Sequence, residues 1–219
     1  MDAIARLSDR DRRRLPFGHC DLMVDRETLD VYARRANDYA ARFGKAGEGP
    51  HLTAFLAEIP KGGRILDLGS GPGHTSAAML RAGYEVEAWD ASPEFVAIAR
   101  DRYGVDARLA CFDDLDATET FDAVFANFSL LHAPKSEMPR HLANIARALK
   151  PSGVFHIGLK TGTGEKRDAL GRFYAFYEEA ELTALLEKAG LEVINRRTGE
   201  ETGLDGTIAT WIILLTRKS

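Results

Sequence analysis

Arg64-Ile65-Leu66-Asp67-Leu68-Gly69-Ser70-Gly71-Pro72-Gly73-His74 is the stretch whose reading decides the fold. An apolar strand over 64–68 runs into a loop with three alternating glycines, and a helix is predicted over 74–81. Glycine takes backbone angles closed to other residues and lets a ligand approach the main chain closely. The N-terminus of the following helix offers unpaired N–H groups to an anionic group. Asp90 stands at the end of the next predicted strand, placed to accept hydrogen bonds from a ribose diol. Loop and carboxylate together point to an adenosine-containing cofactor at the switch point of an open sheet.

The same alternation extends in both directions. Strands are predicted over 85–89, 107–111, 122–126, 154–159, 191–197 and 209–216, and helices over 93–103, 137–149 and 179–189. Ser92 reads as an N-cap with Pro93 at the first helical position. Upstream, Leu29, Ala33, Ala36, Ala40 and Phe43 recur at helical spacing before Gly44, and a short helix is expected over 52–58. Strands alternating with helices mean an α/β fold with a mostly parallel sheet covered on both faces. The last two strands are too closely joined for a crossover helix and are expected to be antiparallel. Residues 1–26 are charge-dense without a period and read as a flexible N-terminal arm, leaving 27–219 as one domain.

With 45% hydrophobic and 28% charged residues, the 219-residue chain is not disordered throughout. Its apolar runs are too short to span a bilayer, and the expectation is no membrane partner. A net charge of −4 argues against a nucleic-acid partner. Cys20 and Cys111 alone make neither a disulfide framework nor a zinc cluster, so a cytoplasmic location is expected. Nothing in the sequence speaks to oligomeric state.

The dinucleotide fingerprint is G-x-G-x-x-G, whereas the spacing here is G-x-G-x-G, and the P-loop lysine is missing. The stretch closely resembles the first motif of the class I S-adenosylmethionine-dependent methyltransferases, of the bacterial small-molecule type. The resemblance continues through Phe112-Asp113-Asp114, through Phe121-Asp122-Ala123-Val124-Phe125-Ala126-Asn127, and through Ala148-Leu149-Lys150-Pro151-Ser152-Gly153-Val154, in that family's order. It implies a Rossmann-like, doubly wound, seven-stranded sheet in the order 3-2-1-4-5-7-6, with the last strand antiparallel and an N-terminal helical cap. It also implies S-adenosylmethionine as cofactor, S-adenosylhomocysteine as product, and methyl transfer to O, N or S of a small molecule by in-line displacement. A methyltransferase acting on RNA or protein, and a non-catalytic S-adenosylmethionine-binding protein, are the alternatives.

On this resemblance the cofactor would meet Asp67, Gly69, Ser70, Gly71, Gly73, Asp90, Ala91, Phe112, Asp113, Asn127 and Phe128. Tyr39, with Tyr32 beside it, would wall the sulfonium, since aromatic faces suit a cation, and Arg42 would pair with the cofactor carboxylate. His132 follows the fourth strand, where the ligand crevice lies, and is the candidate general base. His74 reads as loop-shaping, and His19, His51, His141 and His156 show no partner pattern. Asp113 and Asp114 lack the third carboxylate that a magnesium site would need, because Asn127 stands there, so no metal is expected. The motifs of DNA amino-methylating and pyrimidine C5-methylating enzymes are absent. Residues 160–177 carry Lys160, Lys166, Arg167 and Arg172 among Phe173, Tyr174, Phe176 and Tyr177, flanked by glycines. They read as a mobile lid over a small anionic or planar substrate, with Arg172, Tyr174 and Tyr32 as substrate contacts.

Overall fold

In a computed structural model that describes residues 24–43 and 49–219, strand β1 (Arg64–Leu68) has parallel neighbours on both sides, β2 (Glu85–Asp90) and β4 (Phe121–Asn127). β3 (Ala107–Leu109) continues beyond β2, and β5 (Leu149–Lys160) beyond β4, both again parallel. A separate ribbon is formed by β6 (Glu165–Arg167) and β7 (Phe173–Ala175). β8 (Leu191–Thr202) forms the far edge of the main sheet, and β9 (Ile208–Lys218) runs antiparallel between it and β5. The main sheet has seven strands in the order β3-β2-β1-β4-β5-β9-β8, which is the expected order once the ribbon is set aside.

Six helices accompany it among the described residues: α1 (Arg26–Phe43), α2 (Pro50–Ala57), α3 (His74–Arg81), α4 (Pro93–Tyr103), α5 (Met138–Ala148) and α6 (Glu179–Lys188). The two-residue period of the strands divides the core. Ile65, Phe125 and Val154 pack with Phe55 of α2 and Met79 of α3. Leu66, Val124, Phe155 and Ile157 pack on the other face with Leu142 and Ile145 of α5 and Leu186 of α6. Each such buried side chain contributes roughly 1.5–3 kcal/mol. α1 lies outside this sandwich, with Ala36 and Ala40 on Phe95 and Ile98 of α4. Ser92 caps α4 as expected, its Oγ accepting from the Phe95 N–H at 3.2 Å.

Four boundaries differ from expectation, each for a local reason. Asp25 caps α1 by accepting from the Thr28 N–H at 2.8 Å, so the helix starts at Arg26, within the stretch read as an arm. Residues 1–23, with His19 and Cys20, lie outside the described residues. β3 stops at Leu109, because Cys111 N–H donates to Asp114 Oδ2 at 2.8 Å and the chain turns into a 3-10 turn over Phe112–Asp114. β8 runs to Thr202, not 197; its outer half pairs only with β9 and is largely exposed and polar, so it carries no apolar alternation. The stretch 160–177 contains the β6–β7 ribbon, with Arg172, Tyr174 and Tyr177 buried. Three-residue strands are too short to show a period. Among the described residues no helix is long and apolar enough to cross a membrane.

Candidate active site

The chain leaves β1 through left-handed backbone at Gly69 (φ +80°), Gly71 (φ +55°) and Gly73 (φ +85°). The three glycines serve different ends. A Cβ at Gly69 would lie 2.3 Å from the Ser129 Cβ, and one at Gly73 would lie 2.7 Å from the Ala99 Cβ, so these two positions let the loop pack. A Cβ at Gly71 would meet nothing within 4 Å. The packed glycines thus hold an open one between them.

Asp90 is tied into this loop. Its Oδ2 accepts from the Gly71 N–H at 2.7 Å and its Oδ1 from the Ser92 N–H at 2.8 Å. Burial nonetheless pushes its pKa up to about 6, and that of Asp67 up to about 7 even though Ser76 Oγ donates to Asp67 at 2.5 Å. Two desolvated carboxylates beside an open glycine favour a ligand that brings hydrogen-bond donors or positive charge. On the opposite wall Ser129 Oγ donates to the Leu68 carbonyl at 2.6 Å, joining the ends of β1 and β4 at the point where strand order reverses.

The cleft above that point has two lobes that share Tyr32, Tyr39, Gly69, Gly71, Asn127, Phe128 and His132. The smaller, about 90 Å³, is walled by Asp90, Ala91, Phe112 and Cys111, with Leu29 and Thr28 of α1 above it. The larger, about 250 Å³, takes in Asp67, Ser70, His74, Lys160, Arg172, Tyr174 and Trp211. Ser70 Oγ and His74 Nδ1, both facing the larger lobe, are buried without a hydrogen-bond partner. Such atoms are costly unless a ligand satisfies them.

α1 is fastened over the cleft by a chain of hydrogen bonds. His132 Nδ1 lies 2.7 Å from the Phe173 carbonyl, which can only accept, so the proton sits on Nδ1. Nε2 therefore accepts from the Tyr32 hydroxyl at 2.8 Å. Arg172 Nη1 donates to the same hydroxyl at 3.2 Å, while its Nε and Nη2 donate to Asp168 Oδ2 at 2.9 and 2.6 Å. The Phe173 N–H donates to Thr28 Oγ1 at 2.8 Å, and Arg167 pairs with Asp25. Burial lowers the His132 pKa to about 4, so the ring is neutral at pH 7.

The structure brings most expected site residues to this cleft, but not all. Arg42 donates to the Thr202 carbonyl at 2.9 Å and is not among the lining residues. Asp113 pairs with Arg140 outside the cleft, and Gly73 is turned into packing against α4. Arg172 was expected to reach out from a mobile loop; it is 2% exposed, because Asp168 supplies an internal counter-ion. Asn127 Oδ1 accepts from His156 Nε2 at 3.0 Å, a partner the sequence does not announce; Gly158 leaves room for that amide. Phe128 holds a left-handed backbone (φ +56°) at the mouth, a conformation that costs about 1–2 kcal/mol outside glycine. Trp211 and the stretch 201–204 also line the larger lobe, although nothing in their local sequence marks them. Among the described residues no cluster of three or more His, Cys, Asp or Glu side chains could hold a metal ion.

Residues 65–153, from β1 to the β5 turn, match the profile of a family described as "Methyltransferase domain". Over this stretch the chain carries a methyltransferase domain. It is similar to a ubiquinone biosynthesis O-methyltransferase of Xanthomonas axonopodis pv. citri, 32% identical over 156 residues, which is 61% of this chain and 64% of that protein. It is also similar to a trans-aconitate 2-methyltransferase of a Mycobacterium species, 40% identical over 100 residues, 45% of this chain and 37% of that protein. The matches thus cover less than two thirds of either relative. Among solved structures, the 1,6-didemethyltoxoflavin-N1-methyltransferase of Burkholderia thailandensis superposes with a TM-score of 0.72 at 23% identity. That likeness covers 89% of this chain and 88% of that one, which was solved with 1,6-didemethyltoxoflavin and S-adenosylhomocysteine bound. It shows the methyltransferase fold.

Proposed function

We propose that the chain transfers the methyl group of S-adenosylmethionine to an oxygen, nitrogen or sulfur of a small molecule, by in-line displacement. The observation that carries this reading is the open space over Gly71, set between the Asp90 carboxylate and the unpartnered Ser70 and His74 atoms. An adenosyl group with a charged amino-acid tail fits such a wall. Asp90 would hold the ribose, Ala91 and Phe112 the adenine, and Asp67, Ser70 and the loop amides the amino-acid end. When bound, the cofactor supplies a methyl carbon already activated on a sulfonium.

The work left to the protein is alignment and exclusion of water. Alignment alone can contribute up to roughly 7–11 kcal/mol in well-oriented reactions. The rings of Tyr32 and Tyr39, 5.5 Å apart and edge to face, flank the junction of the lobes. They suit a cationic centre there. Phe128, Tyr174 and Trp211 give the larger lobe flat apolar walls that favour a planar acceptor. α1 covers the cleft, and the stretch 160–177 acts by fastening it. We assign His132 to positioning: its Nε2 lone pair holds the Tyr32 hydroxyl, so it meets the acceptor through Tyr32.

Incubating the protein with deuteromethyl-labelled S-adenosylmethionine and a metabolite extract tests the reading by mass spectrometry, with Gly71→Val as the blank. Label in a small molecule, absent from the blank, is expected. Label confined to RNA or protein would favour a macromolecular acceptor. No label anywhere, with binding intact, would make this a non-catalytic binding protein.

A further inference from the structure

The charged groups of the larger lobe differ in what they already hold. Arg172 is neutralised by Asp168, which fills its Nε–Nη2 edge, and donates from Nη1 to Tyr32. His132 is uncharged, with both ring nitrogens engaged. Lys160, the last residue of β5, stands apart. Its ammonium lies 4.0 Å from the centroid of the Tyr174 ring and faces the same cavity as the glycine loop. No carboxylate of a described residue lies within the 4 Å of an ion pair with it. Asp205 and Asp168 act on it only from farther off, and they oppose Arg172 and Lys166. Burial and the Arg172 charge hold its pKa below that of an ordinary lysine. Glu201, the other carboxylate at the rim, lines the lobe without pairing with it.

A half-buried ammonium held against a ring, with no acid beside it, is a cation awaiting a counter-charge. We propose that Lys160 is the anion anchor of the acceptor lobe, and that the acceptor is a small planar organic anion laid along Tyr174, Phe128 and Trp211. The inference rests on the methyl-transfer reading of the same cleft and names its substrate class. It moves the anion-gripping role from Arg172, whose fork is already filled, to a residue one strand away.

Calorimetry on the full chain saturated with S-adenosylhomocysteine reads this preference directly, with benzoate and cinnamate titrated against their primary amides. At least one acid is expected to bind about tenfold or more tightly than its amide. In Lys160→Met that ratio should fall below about threefold, and Lys160→Arg should restore most of it, with S-adenosylhomocysteine affinity changing less than about threefold throughout. Equal binding of acid and amide, binding of neither, or an acid preference that survives Lys160→Met would overturn the anchor. Failure of S-adenosylhomocysteine itself to bind the parent chain would strike the methyl-transfer reading instead.

Discussion

In the smaller lobe the groups that meet at Gly71 come from one β-α-β unit: Asp90 reaches the Gly71 N–H across 19 positions of sequence. Where α1 is fastened over the cleft, Tyr32 meets His132 across 100 positions, Arg172 meets Tyr32 across 140, and Phe173 meets Thr28 across 145. The glycine loop is built from backbone N–H groups and glycine torsions, the fastening from side chains that converge only once α1 has docked. The contrast separates two kinds of dependence. A change in the glycine loop removes the space a ligand needs, whereas a change in the α1 fastening shifts an equilibrium by the worth of one hydrogen bond.

The sharpest break should come at Gly71. Gly71→Val is expected to lower S-adenosylhomocysteine affinity by about 100-fold or more, at a stability cost of only about 1–2 kcal/mol for the forced positive φ. Gly69→Val, which must displace Ser129, should instead lose fold and binding together, as circular dichroism melts beside calorimetry would show. Equal effects of the two substitutions would erase the distinction drawn between the open glycine and the packed one.

Asp90→Ala removes the acceptor of two N–H groups and the expected ribose partner. A loss of about 1–3 kcal/mol in cofactor binding should follow, near 10- to 100-fold. Unchanged affinity would take Asp90 out of the site. In the larger lobe, Tyr32→Phe should cost about 1–2 kcal/mol of stability, seen in urea melts, with a much smaller effect on cofactor affinity than Asp90→Ala. Combined with His132→Gln it should couple by about 1 kcal/mol, because the two changes break the same bond; strict additivity would deny the fastening.

The smallest effect concerns pH. The folded pKa of Asp67 is raised to about 7 against an ordinary 3.8, so the folded state holds a proton the unfolded state has released between those values. Its contribution to stability is therefore full at low pH and is lost as pH rises toward 7. Asp67→Asn, which still accepts from Ser76, should stabilise the ligand-free protein by about 1 kcal/mol at pH 8 and make no difference at pH 4. His132 runs the other way: with its folded pKa lowered to about 4, the stability it lends is present above 6.5 and is lost as pH falls through that window. A pH-independent gain in Asp67→Asn would mean that its carboxyl is not the strained group.

The same division explains what could be read before the fold was known. The run 64–74, the N-cap at Ser92 and the carboxylate at Asp90 are short-range patterns whose physics is local, and they sufficed for the α/β alternation; the strand order came only with the family resemblance that they carry. The charge state of the acceptor lobe was not legible, because Arg172 and Lys160 look alike as isolated basic residues. Only the turn at Asp168, whose Oδ1 accepts the Arg172 N–H at 2.9 Å while Oδ2 takes its guanidinium, separates a filled cation from an unfilled one. The pair Asn127–His156 was hidden because β4 and β5 had to be placed side by side before the two side chains could meet. The ribbon was missed because its pairing runs between residues of a stretch with no apolar period.

The central claim is that the cleft over Gly71 is built for an adenosyl sulfonium cofactor and not for a dinucleotide. Titration calorimetry of the parent chain with S-adenosylhomocysteine and, separately, with NAD decides it. One S-adenosylhomocysteine site of about micromolar affinity, with no NAD binding at a hundredfold higher concentration, is the result expected. NAD binding with S-adenosylhomocysteine silent would contradict it.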